Sequence, residues 1–169
     1  MKHFISLIFI MVITSCSTDD NSGDEFPVLL GKWETQSCAQ VIDPDANLVN
    51  RWARTIYEFT PANDIMALPE VYLDSQCIGR DPVSNSSSPV QIAVYQDLGE
   101  SLTEEGLPGR RFEMSLVSAV VNTPALAGYY VRVENKLCFS NLFIFGATQF
   151  GFYGGAESTI DFDRCLLRL

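Results

Sequence analysis

The residues that could do chemistry here are few, and most are acidic or sulfur-bearing. Carboxylate pairs occur at Asp43/Asp45, Glu104/Glu105 and Asp161/Asp163. A glycosidase needs two carboxyls facing each other across about 5–9 Å. Partners one or two residues apart face outward as readily as inward, so a solvated face or turn is the simpler reading. Asp43-Pro44-Asp45-Ala46-Asn47 offers three side-chain oxygens to calcium but lacks the glycine and closing glutamate of an EF-hand. The Gly151–Gly155 run follows no phosphate-loop spacing. Arg51-Trp52-Ala53-Arg54 sets one aromatic between two cations, as a pocket rim or a surface loop would. The only histidine is His3, which removes the commonest metal ligand and neutral-pH base from the rest of the chain. No catalytic residue, metal site or cofactor is expected.

There are 169 residues with a formal net charge of −10. That balance argues against nucleic acid and against electrostatic adsorption to anionic lipid. Met1-Lys2-His3 is a short basic start, and Phe4 to Ile13 is an apolar run too short to span a bilayer. It ends in Ile13-Thr14-Ser15-Cys16, which resembles the lipobox of bacterial lipoproteins. The resemblance implies a signal peptide over 1–15 and lipidation at Cys16. One acyl chain holds a protein marginally and two or more hold it stably. Residues 17–25 are polar, acidic and without apolar side chains, so 16–26 reads as a flexible tether. Ser17 after the cysteine resembles lipoproteins bound for the outer membrane, and the acidic run resembles tethers of surface-displayed ones.

The elements that must position any site lie in 27–169. Short alternating runs are broken by Gly, Pro, Asn, Asp and Ser, the signature of an all-β domain. In Leu29 to Cys38 the odd positions Leu29, Gly31, Trp33 and Thr35 form one face, and Lys32, Glu34 and Gln36 the other. This predicts a first strand whose Gly31 lets another backbone come close while Trp33 fills a barrel floor. Further strands are expected over 54–60, 65–73 (with Pro69 at an edge or bulge), 90–94, 111–121, 127–134 and 136–140. Loops are expected over 41–50, 79–89 and 97–109, the last with a short helical turn at 101–105. The ends of any strand within 142–153 are not legible, and 159–169 closes the chain. Eight or nine strands with mostly short connections predict a single antiparallel up-and-down barrel, which leaves no open edge. A two-sheet β-sandwich is the alternative.

Gly31-Lys32-Trp33-Glu34-Thr35-Gln36-Ser37-Cys38, Tyr57-Glu58-Phe59-Thr60, Tyr72-Leu73-Asp74-Ser75-Gln76-Cys77, Lys136-Leu137-Cys138 and Ile160-Asp161-Phe162 follow in order. Together with the terminal Leu167-Arg168-Leu169 they resemble the lipocalin superfamily, and more closely a group of bacterial lipocalin-like lipoproteins. The resemblance implies that Trp33 stacks under Arg168 at the barrel floor. No Thr-Asp-Tyr motif and no clear helix before the last strand are present.

Cys38, Cys77, Cys138 and Cys165 remain beyond Cys16. An even count in an exported domain reads as two disulfides. In an up-and-down barrel Cys38 and Cys77 fall at the same end, while Cys165 lies far from Cys38. That favours Cys38–Cys77 with Cys138–Cys165 among three connectivities. A zinc site or catalytic thiol is opposed by the absence of Cys-x-x-Cys spacing and of an activating histidine. The aromatics on strand faces can fill the interior or line a cavity for one small ligand. The candidates are Trp52, Tyr57, Phe59, Tyr95, Phe112, Met114, Tyr129 and Phe139, with Phe145 beside them. Two functions follow. One is an envelope-anchored barrel that binds a small apolar or amphipathic ligand without catalysis. The other is a filled, non-binding barrel that docks on an outer-membrane protein complex.

Overall fold

The computed structural model describes residues 29–41, 50–83, 88–117, 124–140, 143–148, 150–152 and 159–169. The expected signal peptide, Cys16, the tether and the calcium-type loop at 43–47 lie outside these residues. The described chain is all-β. Its strands are β1 (Gly31–Thr35), β2 (Ala39–Gln40), β3 (Trp52–Phe59), β4 (Asp64–Tyr72), β5 (Val90–Leu102), β6 (Pro108–Leu116), β7 (Leu126–Val133) and β8 (Lys136–Phe139). They are followed by β9 (Phe143–Phe145), β10 (Phe150–Phe152), a one-turn 3-10 helix (Phe162–Arg164) and β11 (Leu166–Arg168).

Every pairing is antiparallel, and β1 is the seam. It pairs with β3 on one side (Trp33 opposite Tyr57) and with β11 on the other (Trp33 opposite Arg168). From β3 the sheet runs through β4, β5, β6, β7 and β8 to β11, so eight strands close on themselves. A sandwich would leave its first and last strands in separate sheets, which this double pairing excludes. The ninth, β2, lies outside the ring as a short stretch against the start of β3. The floor end carries Gly31, Phe59 and Asp64; the mouth end carries Thr35, Trp52 and Tyr72.

Period-2 patterning does the positioning. Along β3, Ala53, Thr55, Tyr57 and Phe59 are buried, while Trp52, Arg54, Ile56 and Glu58 alternate outward. Tyr57 and Phe59 join Trp33, Ile65, Ala93, Phe112, Met114, Tyr130, Leu137, Phe139 and Leu166 in one interior core. Pro69 is tolerated because β4 pairs with β5 only as far as Ala67 opposite Val90. At Pro69 itself that side has no β5 partner to receive a donor; ladder bonding resumes only further on, where Leu73 N–H donates to Gly79 O at 2.8 Å.

The expected loop at 97–109 is instead the end of a long hairpin. β5 runs for 13 residues and pairs with β6 out to Leu102 opposite Pro108. Its polar residues fit a strand because the ribbon overshoots the barrel floor into solvent. The turn is closed by Thr103 N–H donating to Leu107 O at 2.9 Å, with Gly106 at φ 78°. This segment therefore lies at the floor end, opposite the Cys38–Cys77 bridge. β6 runs to Leu116, and residues 118–121 of the expected strand lie outside the described residues.

Both expected disulfides are present, Cys38–Cys77 and Cys138–Cys165, with Cα separations of 5.9 and 4.2 Å. The first ties the end of β1 to the loop after β4 at the mouth. The second sits on the outer face, where Cys138 and Cys165 form a small cluster with Val131 and Ile160.

Candidate functional site

The natural place for a site in a closed barrel is its interior, and here the chain itself occupies it. After β8 the backbone turns inward and β9 enters the barrel. Phe145 packs at a tilt against Phe139 with ring centroids 4.3 Å apart and meets Tyr57 edge-on at 5.2 Å. Phe143 lies 4.6 Å from Phe112. Polar bonds hold the backbone that follows. Thr55 Oγ1 donates to Ala147 O and Tyr57 Oη to Gly146 O, each at 2.7 Å. A buried hydroxyl without a partner is costly, so these two side chains specify where the plug sits. Gly128 completes the fit: a Cβ there would strike the Phe143 ring and lie 2.6 Å from Ser140 Oγ.

Six of the eight ligand-lining candidates, Tyr57, Phe59, Tyr95, Phe112, Met114 and Phe139, face this interior and are buried in the shared core. Two do not. Trp52 falls on the outward parity of β3, half-buried opposite Gln40 and Tyr72. Tyr129 also faces outward, packed against the Cys138–Cys165 cluster. Its neighbour Tyr130 is the inward residue, fully buried, with its hydroxyl donating to Asp97 Oδ2 at 2.9 Å. Alternation alone did not separate the two tyrosines, because both faces of β7 are covered here.

At the floor, Trp33 is fully buried and its Nε1 donates to Leu29 O at 2.9 Å. Arg168 Cζ lies 5.6 Å from the centre of its ring. Gly31 serves a different need from the one expected. A Cβ there would meet nothing within 4 Å, but its φ is 120°, a conformation that L side chains rarely adopt.

The interior suppresses acid–base chemistry. Burial pushes the phenols of Tyr57 and Tyr130 well above the usual value, and the bond to Asp97 pushes Tyr130 further the same way. Burial, with the Asp97 charge behind it, raises Tyr95 to about 12. Of the carboxylate pairs, Asp43/Asp45 lies outside the described residues, and one member of each of the other two is engaged elsewhere. Asp161 caps the 3-10 helix through Asp163 N and pairs with Arg164. Glu105 accepts from Ile160 N at 3.4 Å. The two cations beside Trp52 are taken as well, Arg51 by Asp81 at 2.8 Å and Arg54 by Glu34 at 3.2 Å. At Asp74, bonds from the Gly79, Ile78 and Gln76 amides hold the carboxyl below its usual range, which organises the Cys77 loop.

Beside a concavity of about 390 Å³ along residues 159–164, two others among the described residues bear on a site. One, of about 270 Å³, opens at the mouth between the plug and the wall formed by Thr55, Tyr57, Ala67, Pro69, Val90 and Ile92. The other, of about 570 Å³, lies on the overshooting β5–β6 ribbon beside Tyr130 and Arg132. The plug was the feature missed in the sequence. Its available signal was Phe143-Ile144-Phe145, an apolar run without alternation placed between two strands that needed no third. Searches against family models, curated proteins and solved structures return no match to this chain.

Proposed function

We propose that this protein is an envelope-anchored, non-catalytic interaction lipoprotein of lipocalin-like build. In this reading its barrel is filled by its own chain, and it docks on an outer-membrane protein complex. The observation that carries the reading is the plug: Phe143 and Phe145 occupy the volume in which a barrel of this size would hold a ligand. The lipobox-like segment ending at Cys16 supports the anchor. The test is native mass spectrometry after mild extraction, together with titration of a hydrophobic fluorescent probe. The expected result is an acyl mass on Cys16 only and no saturable quenching of Trp33. One-to-one uptake of the probe would overturn the filled-barrel reading, and a mature chain retaining residues 1–15 would overturn the anchor.

A second reading is favoured by the mouth opening, whose walls are apolar and whose Thr55 and Tyr57 hydroxyls are already bonded to the plug. It would admit one small uncharged apolar molecule. Probe quenching that is lost in Ala67→Trp would support this reading over the first.

A further inference from the structure

β5 is longer than the strand beside it. It pairs with β4 only from Val90 to Val94, and the last bond on that side is Tyr95 N–H to Asn63 O at 2.8 Å. Its other side stays paired with β6 as far as Leu102. Residues 96–102 therefore form a sheet edge that has, among the described residues, no backbone partner on the β4 side. Gln96, Leu98, Glu100 and Leu102 are all exposed along it. An open edge of this length is a template for another strand. The bulge at Asp97/Gly99, with Gly99 at φ 92°, kinks the edge and limits indiscriminate pairing.

A second observation falls on the same ribbon. The concavity of about 570 Å³ is walled by Glu100, Leu102, Pro108, Arg110, Tyr130 and Arg132. The register places Leu102 beside Pro108, and Glu100 beside Arg110 and Tyr130, so these rows share one face. Asp97 takes Arg110 Nε at 3.0 Å and the Tyr130 hydroxyl at 2.9 Å, which fixes the floor of the cleft. Glu100 makes no ion pair among the described residues. In strand addition, main-chain bonds supply affinity and pockets for alternate side chains supply selectivity. The free edge and the adjoining cleft together provide both.

We propose that residues 96–102 of β5 receive an extended segment of a partner protein by antiparallel or parallel strand addition. The segment carries a basic and an apolar side chain two residues apart, and so on one face, with the basic one against Glu100 and the apolar one over Leu102. A second copy of this chain is the poorer occupant. It would bring Glu100 and the Glu104/Glu105 tip against their own kind, in a molecule of net charge −10. The proposal rests on the docking reading above and names its surface and the chemistry of its partner.

The test uses the full chain and a capped octapeptide in which lysine and valine take turns at every second position, with threonine between them, so that both fall on one face. Saturable one-to-one binding is expected, with slowed amide exchange confined to residues 96–102 and weakening by added salt. N-methylation of alternate peptide amides along one peptide edge is expected to weaken binding at least about tenfold, since it removes ladder donors without altering the protein. Glu100→Lys should weaken the lysine peptide and favour a glutamate–valine one. Absence of binding, indifference to N-methylation, or equal affinity for both peptides would overturn the proposal. Concentration-dependent protection of the same amides without peptide would make a second copy the occupant and overturn it as well. Probe uptake by the barrel reads the docking hypothesis separately. Uptake with intact peptide binding refutes the filled barrel alone, and failed peptide binding without uptake refutes the strand site alone.

Discussion

Truncating Phe145 is the sharpest probe of the plug. The side chain is buried, and it touches Phe139 at 4.3 Å, Tyr57 at 5.2 Å and Phe59 at 5.9 Å between ring centroids. Phe145→Ala removes a ring that the closed wall cannot collapse to replace. Buried Phe→Ala changes cost about 3–5 kcal/mol, and a residual void of roughly 100 Å³ accounts for about 2.4 kcal/mol of that. A domain of this size is stable by about 5–15 kcal/mol, so the variant should still fold with a visibly lower urea midpoint and an unchanged m-value. The void is lined by aromatic rings and should stay dry and accept a benzene-sized molecule, as apolar cavities do. The readouts are urea denaturation and a melting shift with added benzene, measured on the parent and on Phe145→Ala. A loss below about 1 kcal/mol, or a benzene-induced shift as large in the parent as in the variant, would refute the filled interior.

The remaining predictions address the packing around the plug, the floor and the buried phenols. Gly128→Ala places a methyl group against Phe143 and Ser140 and should destabilise by about 1–3 kcal/mol; a neutral outcome in denaturant melts would move Phe143 away from β7. Arg168→Ala should cost about 0.5–2 kcal/mol through the lost contact with Trp33, and an unchanged melting curve would remove that pairing. Tyr57 and Tyr130 have folded pKa values raised above those of the unfolded chain, so the fold binds more protons than the unfolded state once pH passes 10. Their contribution is complete below pH 10 and is lost as pH climbs; by pH 11 the two together should cost about 3 kcal/mol. Tyr95 adds to the same loss between pH 10 and about 12. Equal stability at pH 8 and pH 11 would contradict this.

Much of the architecture could be read from local alternation. Trp33 and Thr35 had to share a face opposite Lys32 and Glu34, and the β3 run Ala53, Thr55, Tyr57, Phe59 had to do the same, because strand side chains alternate whatever the partner is. Disulfide connectivity followed once the strands were taken to run up and down in order. The failures have equally physical causes. Tyr129 and Tyr130 are adjacent aromatics on a strand covered on both faces, and only the outer Cys138–Cys165 cluster decides which one looks inward. Residues 97–109 are polar because the hairpin leaves the barrel, and polarity alone does not distinguish a solvated ribbon from a loop.

By itself the sequence determined the fold class, the inward faces of strands with one wet face such as β1 and β3, and the two cross-links, since each depends on spacing along the chain. Only the tertiary structure decided whether the barrel is hollow. That outcome depends on Gly128, Thr55 and Tyr57, which lie far from Phe143–Ala147 in the chain and meet them only after closure. Filling a cavity is a matter of volumes brought together across long loops, and no local periodicity records it. The same holds for the free edge of β5, which exists because β4 ends at Asp64 while β5 continues to Leu102.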